Sequence, residues 1–243
     1  MASRTGTGRV RHTGIAGGAP HAPASTLAQR LTGGGTEGNE RLTAATGATL
    51  IVLLAVIGLT ILRIHGLLSV HMFVGMLLIP PVLLKMSSTG YRFIRYYTAD
   101  ARYQSKGPPA TALRMIAPVV VLSTVVVFAT GVALLFVGPA SRGTLLSLHK
   151  VSFVVWIMFT ALHVLGHLPS MPAFLRADYG RVATLSGDVT GRAGRSLALA
   201  GALVAGVVLA LLVIPEFGPW LHGAGVDSLF RAASAEVLDS AAA

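Results

Sequence analysis

The segment LHKVSFVVWIMFTALHVLGHLP, residues 148–169, is almost entirely apolar yet contains His149, His163 and His167. It is long enough to cross the roughly 30 Å hydrocarbon core of a bilayer, which takes about 20 apolar residues in a helix. Backbone groups in lipid find no water to bind, so a crossing segment of this kind must be helical. Ionisable side chains are costly in that setting, and the three histidines therefore require an explanation.

The whole chain shares this apolar character. Of its 243 residues 53% are hydrophobic and 12% are charged, whereas soluble domains carry about 25% charged residues. Five apolar runs approach or exceed the length of a membrane crossing: about 43–64, 67–90, 113–137, 144–168 and 196–214. We therefore expect an all-α polytopic membrane protein with five transmembrane helices, arranged as an up-and-down four-helix bundle plus one peripheral helix. The chain has no cysteine, which excludes disulfides, thiolate-held iron–sulfur clusters and covalent c-type haem.

The apolar runs divide the chain into three segments. Residues 1–42 are rich in Gly, Thr, Ala and Arg without an apolar period, so we expect a disordered N-terminal tail that buries too little surface to fold. Residues 43–214 form the predicted transmembrane domain, and residues 215–243 form a short C-terminal tail. The last apolar run is mostly small and aliphatic, which is typical of a packing or lipid-facing helix.

Basic residues predict the orientation in the membrane. If the N-terminus is cytoplasmic, 15 of the 19 lysines and arginines lie on the cytoplasmic side. Four lie on the other side: Arg63, Arg142, Lys150 and Arg231. By the positive-inside rule we expect a multi-pass protein of the cell membrane, with a cytoplasmic N-terminus and an extracytoplasmic C-terminus. Anionic lipid headgroups account for the net charge of +10, so we expect the lipid bilayer as partner and no nucleic acid.

Two predicted helices carry a histidine at the same depth. His71 lies near the start of the second helix and His149 near the start of the fourth, and both helices enter from the same side. Two imidazoles at one level on different helices can hold a planar macrocycle from both axial sides of its iron. Gly75, one turn below His71, and Gly131 at a similar depth in the third helix would leave room for it. The alternative role for each imidazole is a structural hydrogen bond between helices.

His163 repeats the pattern towards the other side of the membrane. It follows His149 by 14 residues, which corresponds to a rise of about 21 Å on nearly the same helix face. A second macrocycle would need a ligand 14 residues after His71, but that residue is Lys85. A lysine there is more typical of contact with headgroups or an anion than of iron ligation. His167, one turn beyond His163, either shares a ligand role with it or lies at the interface.

The LHK triplet at residues 148–150, with His163 following at a spacing of 14, resembles bacterial b-type cytochrome membrane domains of the cytochrome b561 kind. The resemblance covers about residues 43–168. It implies non-covalent haem b, ligated by His71 and His149, in a four-helix bundle that carries electrons across or along the membrane. The lysine that stands where a two-haem member would offer a ligand favours one haem b and leaves a second, at His163, open.

Charged residues near the two ends allow two interpretations each. Arg63, Arg142 and Lys150 lie close to the predicted haem and could pair with its propionates, or they could serve as ordinary helix-end anchors. Residues 85–114 mix aromatic and basic side chains. That mixture is typical of a membrane-interface belt, and the alternative is a docking surface for a redox partner protein or a quinone.

No nucleotide-binding glycine loop and no large soluble domain are visible in the sequence. We therefore expect an electron carrier or an oxidoreductase subunit rather than a self-contained enzyme. The alternative hypothesis is a non-redox polytopic membrane protein, such as a scaffold, an accessory subunit or a solute or proton pathway, with structural histidines.

Overall fold

The computed structural model describes residues 34–105, 107, 111–180 and 191–222. Eight helices follow one another in this part of the chain: α1 (Gly35–Leu62), α2 (Ile64–Tyr97), α3 (Ala101–Gln104), α4 (Thr111–Val137), α5 (Gly143–His167), α6 (Met171–Tyr179), α7 (Arg192–Leu212) and α8 (Gly218–His222). Short 3₁₀ turns precede α5 and α8, at Pro139–Ser141 and Ile214–Phe217. The helices α1, α2, α4, α5 and α7 are long and apolar enough to span a membrane, which confirms the predicted all-α, multi-pass fold.

The spanning helices pack as two antiparallel pairs and one flanking helix. α1 is in close contact with α2, α4 is in close contact with α5, and α7 packs along α2. By contrast, α2 makes only slight contact with α4, and α2 and α5 are not packed against each other. We call the end of the bundle with Arg63 and the α4–α5 turn the upper end, and the opposite end, with Lys85, the lower end. The packing therefore leaves the two helix pairs loosely joined.

The flanking helix α7 approaches α2 very closely at one point. A Cβ added at Gly206 would lie 2.3 Å from the backbone carbonyl oxygen of Leu77, so only glycine permits this approach. Near the same contact, Ala210 is completely buried. The helix that the sequence predicts as peripheral therefore lies outside the two pairs but is held tightly against α2.

Helix α1 begins eight residues before the predicted transmembrane domain. Residues 35–42, which we expected in a disordered tail, are helical because their polar side chains contact α2. Asn39 donates a hydrogen bond to the backbone carbonyl of Ser88 (3.0 Å), and Glu40 pairs with Arg92 (3.2 Å). At 28 residues α1 is about 42 Å long, so it extends beyond the hydrocarbon core. The rest of the predicted tail, residues 1–33, lies outside the described residues.

The start of the predicted C-terminal tail belongs to the hydrophobic core. After α7 the chain turns back over the upper end, and Phe217 and Trp220 are buried there. They pack in one cluster with Met72 of α2 and Leu134 of α4. Residues 215–222 therefore close the upper end of the bundle rather than forming a tail, and the predicted tail residues 223–243 lie outside the described part of the chain.

Candidate functional site

His71 is held at the upper end by a buried threonine of the neighbouring helix. Its Nδ1 lies 2.9 Å from the Oγ1 of Thr60, which is 1% exposed. The Thr60 hydroxyl in turn donates to the backbone carbonyl of Ile57 at 2.6 Å. Because a hydroxyl has one proton and that proton is engaged, the imidazole must be the donor in the contact with Thr60. His71 therefore carries its proton on Nδ1.

His149 has the same arrangement on the other helix pair. Its Nδ1 lies 3.0 Å from the Oγ1 of Thr130 on α4, which is also buried. The Thr130 hydroxyl donates to the backbone carbonyl of Val126 at 2.8 Å. The same counting of protons places a hydrogen on Nδ1 of His149. Both histidines thus have a fixed tautomer, and in both the Nε2 lone pair is the free one.

The two histidines lie near each other although their helices do not pack together. The two imidazoles interact electrostatically, although α2 and α5 are not among the closely packed helix pairs. The side-chain hydrogen bonds of both rings to Thr60 and Thr130 are made through Nδ1, so neither of them uses Nε2. Neither Nε2 belongs to the buried polar atoms that lack a partner in the described structure, whereas Nδ1 of His163 does. The upper end therefore presents two neutral nitrogen donors that a bound group can reach.

The two glycines predicted to make room for a macrocycle lie in different surroundings. A Cβ added at Gly131 would lie 3.2 Å from Cε1 of His149, so this glycine makes room for the imidazole itself. A Cβ added at Gly75 would have no atom within 4 Å. Gly131 therefore supports the orientation of His149, and Gly75 borders open space.

The basic residues predicted near the haem propionates form no contact with the histidine pair. Arg63 and Lys150 are exposed, and neither has a side-chain hydrogen bond or ion pair among the described residues. Arg142 instead lies over the ring of Trp220, with 5.9 Å from its guanidinium carbon to the ring centre. The Nε1 of Trp220 is buried without a hydrogen-bond partner in the described structure.

The lower end contains a different set of polar groups. Lys85 Nζ donates to the backbone carbonyl of Thr43 at 2.7 Å. Gly47 of α1 leaves room for this ammonium, since a Cβ there would lie 3.1 Å from Nζ. The rings of His163 and His167 have centres 4.7 Å apart, and both interact electrostatically with Lys85. The lysine that the sequence places in register with His163 therefore interacts with it electrostatically.

The aromatic and basic tract after Lys85 folds onto itself beyond the lower end. The rings of Tyr91 and Tyr103 meet edge to face at 6.1 Å, and Arg95 forms an ion pair with Asp100. Burial raises the pKa of the Tyr103 phenol, and Tyr91 and Asp100 raise it further, while Arg95 opposes them. Tyr97 accepts a hydrogen bond from Arg114. These mutual contacts are compatible with an interfacial belt.

Two residues of the upper site, Thr60 and Thr130, were not identified from the sequence. Neither stands at a regular spacing from its histidine in the chain, since each contact forms between neighbouring helices. No group of three or more His, Asp or Glu side chains that could hold a metal ion occurs among residues 34–105, 107, 111–180 and 191–222. The chain matches no protein-family model, and no curated protein or solved structure is significantly similar to it.

Proposed function

We propose that this protein is a membrane haem b protein that transfers electrons, with His71 and His149 as the two axial ligands. The observation that carries the proposal is the matched pair of histidine–threonine hydrogen bonds on two helices that do not pack together. Metal-ligating histidines usually donate their second ring N–H to an oxygen, which fixes the tautomer and the ring orientation. Thr60 and Thr130 provide that oxygen here.

The number and type of donors support haem over another metal centre. The upper site offers two imidazoles, and the described residues add no carboxylate to them. A zinc site usually takes four ligands, of which the protein provides at least three. Haem brings four nitrogens of its own and needs the protein only at its two axial positions. Of the two groups compared, a pair of imidazoles without further protein ligands can therefore hold haem but not zinc.

The chain's own residues would hold and orient the group. Each imidazole presents Nε2 with its lone pair free, and each threonine keeps the ring from rotating about its Cβ–Cγ bond. Gly131 lets the His149 ring approach α4 closely. The haem, when bound, would supply the one-electron redox chemistry that no side chain of this protein offers.

One haem is better supported than two. His163 has no threonine contact of the kind seen at the upper end, and its Nδ1 is buried without a partner among the described residues. Lys85, which stands where the spacing would require the opposite ligand, donates a hydrogen bond to Thr43 through its ammonium. An ammonium that donates has no lone pair for iron.

The alternative function is a non-redox membrane protein in which the histidines are structural. One observation favours it, because the hydrogen bond to threonine already satisfies one nitrogen of each upper imidazole. The structural role does not explain two observations: the Nε2 atoms take no part in the threonine contacts, and α2 and α5 are not closely packed.

Five helices are long and apolar enough to span a membrane, which supports contact between this protein and a lipid bilayer. We further propose that the lower end faces the cytoplasm, in a cell membrane, because basic residues concentrate on that side. Electrons would then pass between a redox partner protein or a quinone and the upper haem. No soluble domain is present among the described residues, so catalysis of a complete reaction would require another chain.

A difference spectrum tests the proposal directly. The full-length protein, expressed with ample haem and purified in mild detergent, should give a reduced-minus-oxidised spectrum of low-spin haem b. Quantifying the extracted haem should give about one per chain, since one pair of axial ligands is available. A colourless protein would refute the haem assignment and favour the structural role of the histidines. A ratio near two would instead assign a second haem to the lower end.

A further inference from the structure

The lower end contains a cluster of one ammonium and two imidazoles that the proposed haem site does not use. It consists of Lys85 on α2 with His163 and His167 on α5, and we refer to these three residues as the lower cluster. Lys85 interacts electrostatically with both imidazoles. Thr160, one turn before His163, contributes a buried hydroxyl oxygen that has no hydrogen-bond partner among the described residues. These groups lie on helices that are not packed against each other.

The charge of the lower cluster is not balanced within the described chain. No carboxylate of the described residues forms an ion pair with Lys85, and Glu40 of α1 pairs with Arg92 instead. Lys85 is half-buried, and one of its three N–H groups donates a hydrogen bond to the Thr43 carbonyl. A partly buried cation without a counter-ion is unfavourable, and an anion would stabilise it. A neutral ligand would leave the charge uncompensated.

The depth of the cluster indicates where such an anion comes from. Lys85 follows the first residue of α2 by 21 positions, which places it about 31 Å below the upper end of that helix. That distance is close to the roughly 30 Å thickness of the hydrocarbon core. Lys85 and His163 therefore lie at the level of the lower headgroups, where lipid phosphates are concentrated.

The helix α6 and the small residues of α1 shape the cluster into a site. The methyl group of Met171, at the start of α6, would lie 3.4 Å from a Cβ at Gly47, and the same Cβ would lie 3.1 Å from Lys85 Nζ. A side chain at Gly47 would therefore force the ammonium to shift by a few tenths of an ångström. The backbone of α1 instead approaches the lysine closely enough for Thr43 to orient it.

We propose that Lys85, together with His163, binds the phosphate of an anionic phospholipid in the leaflet at the lower end. The two free N–H groups of the ammonium donate to phosphate oxygens, and the imidazole and Thr160 add donors from α5. A lipid bound there would bridge α2 and α5, which the protein itself leaves unpacked. The site is independent of haem, so it stands or falls separately from the proposed redox function.

Native mass spectrometry of the full-length protein tests this site with dioleoyl phosphatidylglycerol as the probe. Dioleoylglycerol, which has the same acyl chains and no phosphate, is the matched control lipid. We expect wild-type protein to retain one phosphatidylglycerol and no dioleoylglycerol under the same conditions. Lys85→Met should lower the apparent affinity about tenfold, because it removes the charge-assisted hydrogen bonds. Arg102→Gln removes an exposed charge of the same lower region and should change the affinity less than about twofold.

A second variant keeps the test valid if the Lys85→Met protein does not fold. Gly47→Ala keeps the lysine but pushes its ammonium away from Thr43, so it should also weaken phosphatidylglycerol binding while helical content by circular dichroism stays unchanged. Equal losses in Lys85→Met and Arg102→Gln, or unchanged binding in Lys85→Met and Gly47→Ala, would overturn the proposal. Displacement of the lipid by millimolar inorganic phosphate would overturn the lipid assignment in favour of a free anion. Haem content, measured in parallel, should not change in any of these variants.

Discussion

The upper histidine pair and the lower cluster each include a histidine of α5, but these two histidines differ in what surrounds the ring. His149 donates Nδ1–H to a buried threonine and lies near a second histidine with the same support. His163, 14 residues further on, has a buried Nδ1 without a partner in the described structure and lies near a lysine. The difference teaches that two histidines of one helix at the two predicted depths can have different hydrogen-bond partners and different charges opposite them, and the proposed ligand role rests on that difference. A histidine at the right depth is not sufficient.

The largest effect on bound haem should come from removing one histidine of the upper pair. Removal of His163, at the lower end of the same helix as His149, is the comparison. His149→Ala should reduce bound haem from about one per chain to below about one tenth, because a single axial imidazole remains. His71→Ala should do the same. His163→Ala, on the same helix, should keep nearly all the haem. The measurement is the haem-to-protein ratio of each purified variant, with helical content as the control for folding.

This comparison can fail in two informative ways. Loss of haem in His163→Ala to the same degree as in His149→Ala would show that the two sites do not differ as proposed. Full haem in both His71→Ala and His149→Ala would remove the upper site as the haem site. In that case the threonine contacts would be structural hydrogen bonds only.

A smaller effect is expected from the threonines that hold the rings. Thr60→Val and Thr130→Val keep the shape of the side chain but remove the oxygen that accepts from Nδ1–H. Loss of such a supporting contact typically lowers metal affinity 10–100-fold, and we expect a weakening of about that size for haemin titrated into the haem-free protein. The reduction potential should shift as well, because the basicity of the imidazole changes.

Thr46→Val is the matched control for this prediction. Thr46 is completely buried and its hydroxyl donates to the backbone carbonyl of Leu42 at 2.8 Å, but it contacts no histidine. Its replacement should leave haemin affinity unchanged. If the three valine variants weaken haemin binding equally, the effect would reflect loss of a hydroxyl in the helix and not support of the ligands.

Much of the fold was predictable because lipid imposes length and periodicity on the chain. The five spanning helices and the shared depth of His71 and His149 follow from counting residues in apolar runs. The boundaries were less predictable. Residues 35–42 are polar and carry no apolar period, yet they are helical because Asn39 and Glu40 contact α2. That contact joins residues about 50 positions apart and has no local signal.

The site was only half predictable for the same physical reason. The histidines are visible in the sequence because polar residues are rare in apolar runs. Their threonine partners are not, because threonine is tolerated in such helices by bonding to its own backbone, as Thr46 does. Gly131 was expected to make room for a macrocycle, and its contact with the His149 ring depends on how α4 and α5 pack. These contacts depend on how the helices pack, and the periodicity of the sequence does not reveal that packing.

A moderate effect is expected from crowding the upper ligand. In Gly131→Ala the new Cβ would lie 3.2 Å from Cε1 of His149, so the ring must shift by a few tenths of an ångström and its contact with Thr130 must lengthen. We expect haemin affinity to fall several-fold, less than in the threonine variants, since the hydrogen bond is strained and not removed. Gly201→Ala, where a Cβ would meet nothing within 4 Å, should have no effect. An unchanged affinity in Gly131→Ala would show that the ring can move without cost.

The smallest effect concerns Trp156, which lies midway between His149 and His163 on α5. Its Nε1 donates to Thr124 Oγ1 on α4 at 2.9 Å, and both residues are buried. In Trp156→Phe the hydrogen bond is lost, but the Thr124 hydroxyl still donates to the Val120 carbonyl at 2.6 Å, so no buried proton is left unpaired. The free energy of unfolding, measured by denaturant titration in mixed micelles, should fall by about 1 kcal/mol, the usual net value of one such bond. Haem content and phosphatidylglycerol binding should both stay at the wild-type level, because neither upper nor lower ligands contact this residue. A loss of either would mean that the two ends of α5 are coupled through Trp156, and the contrast between them would then reflect one shared packing arrangement and not two independent sites.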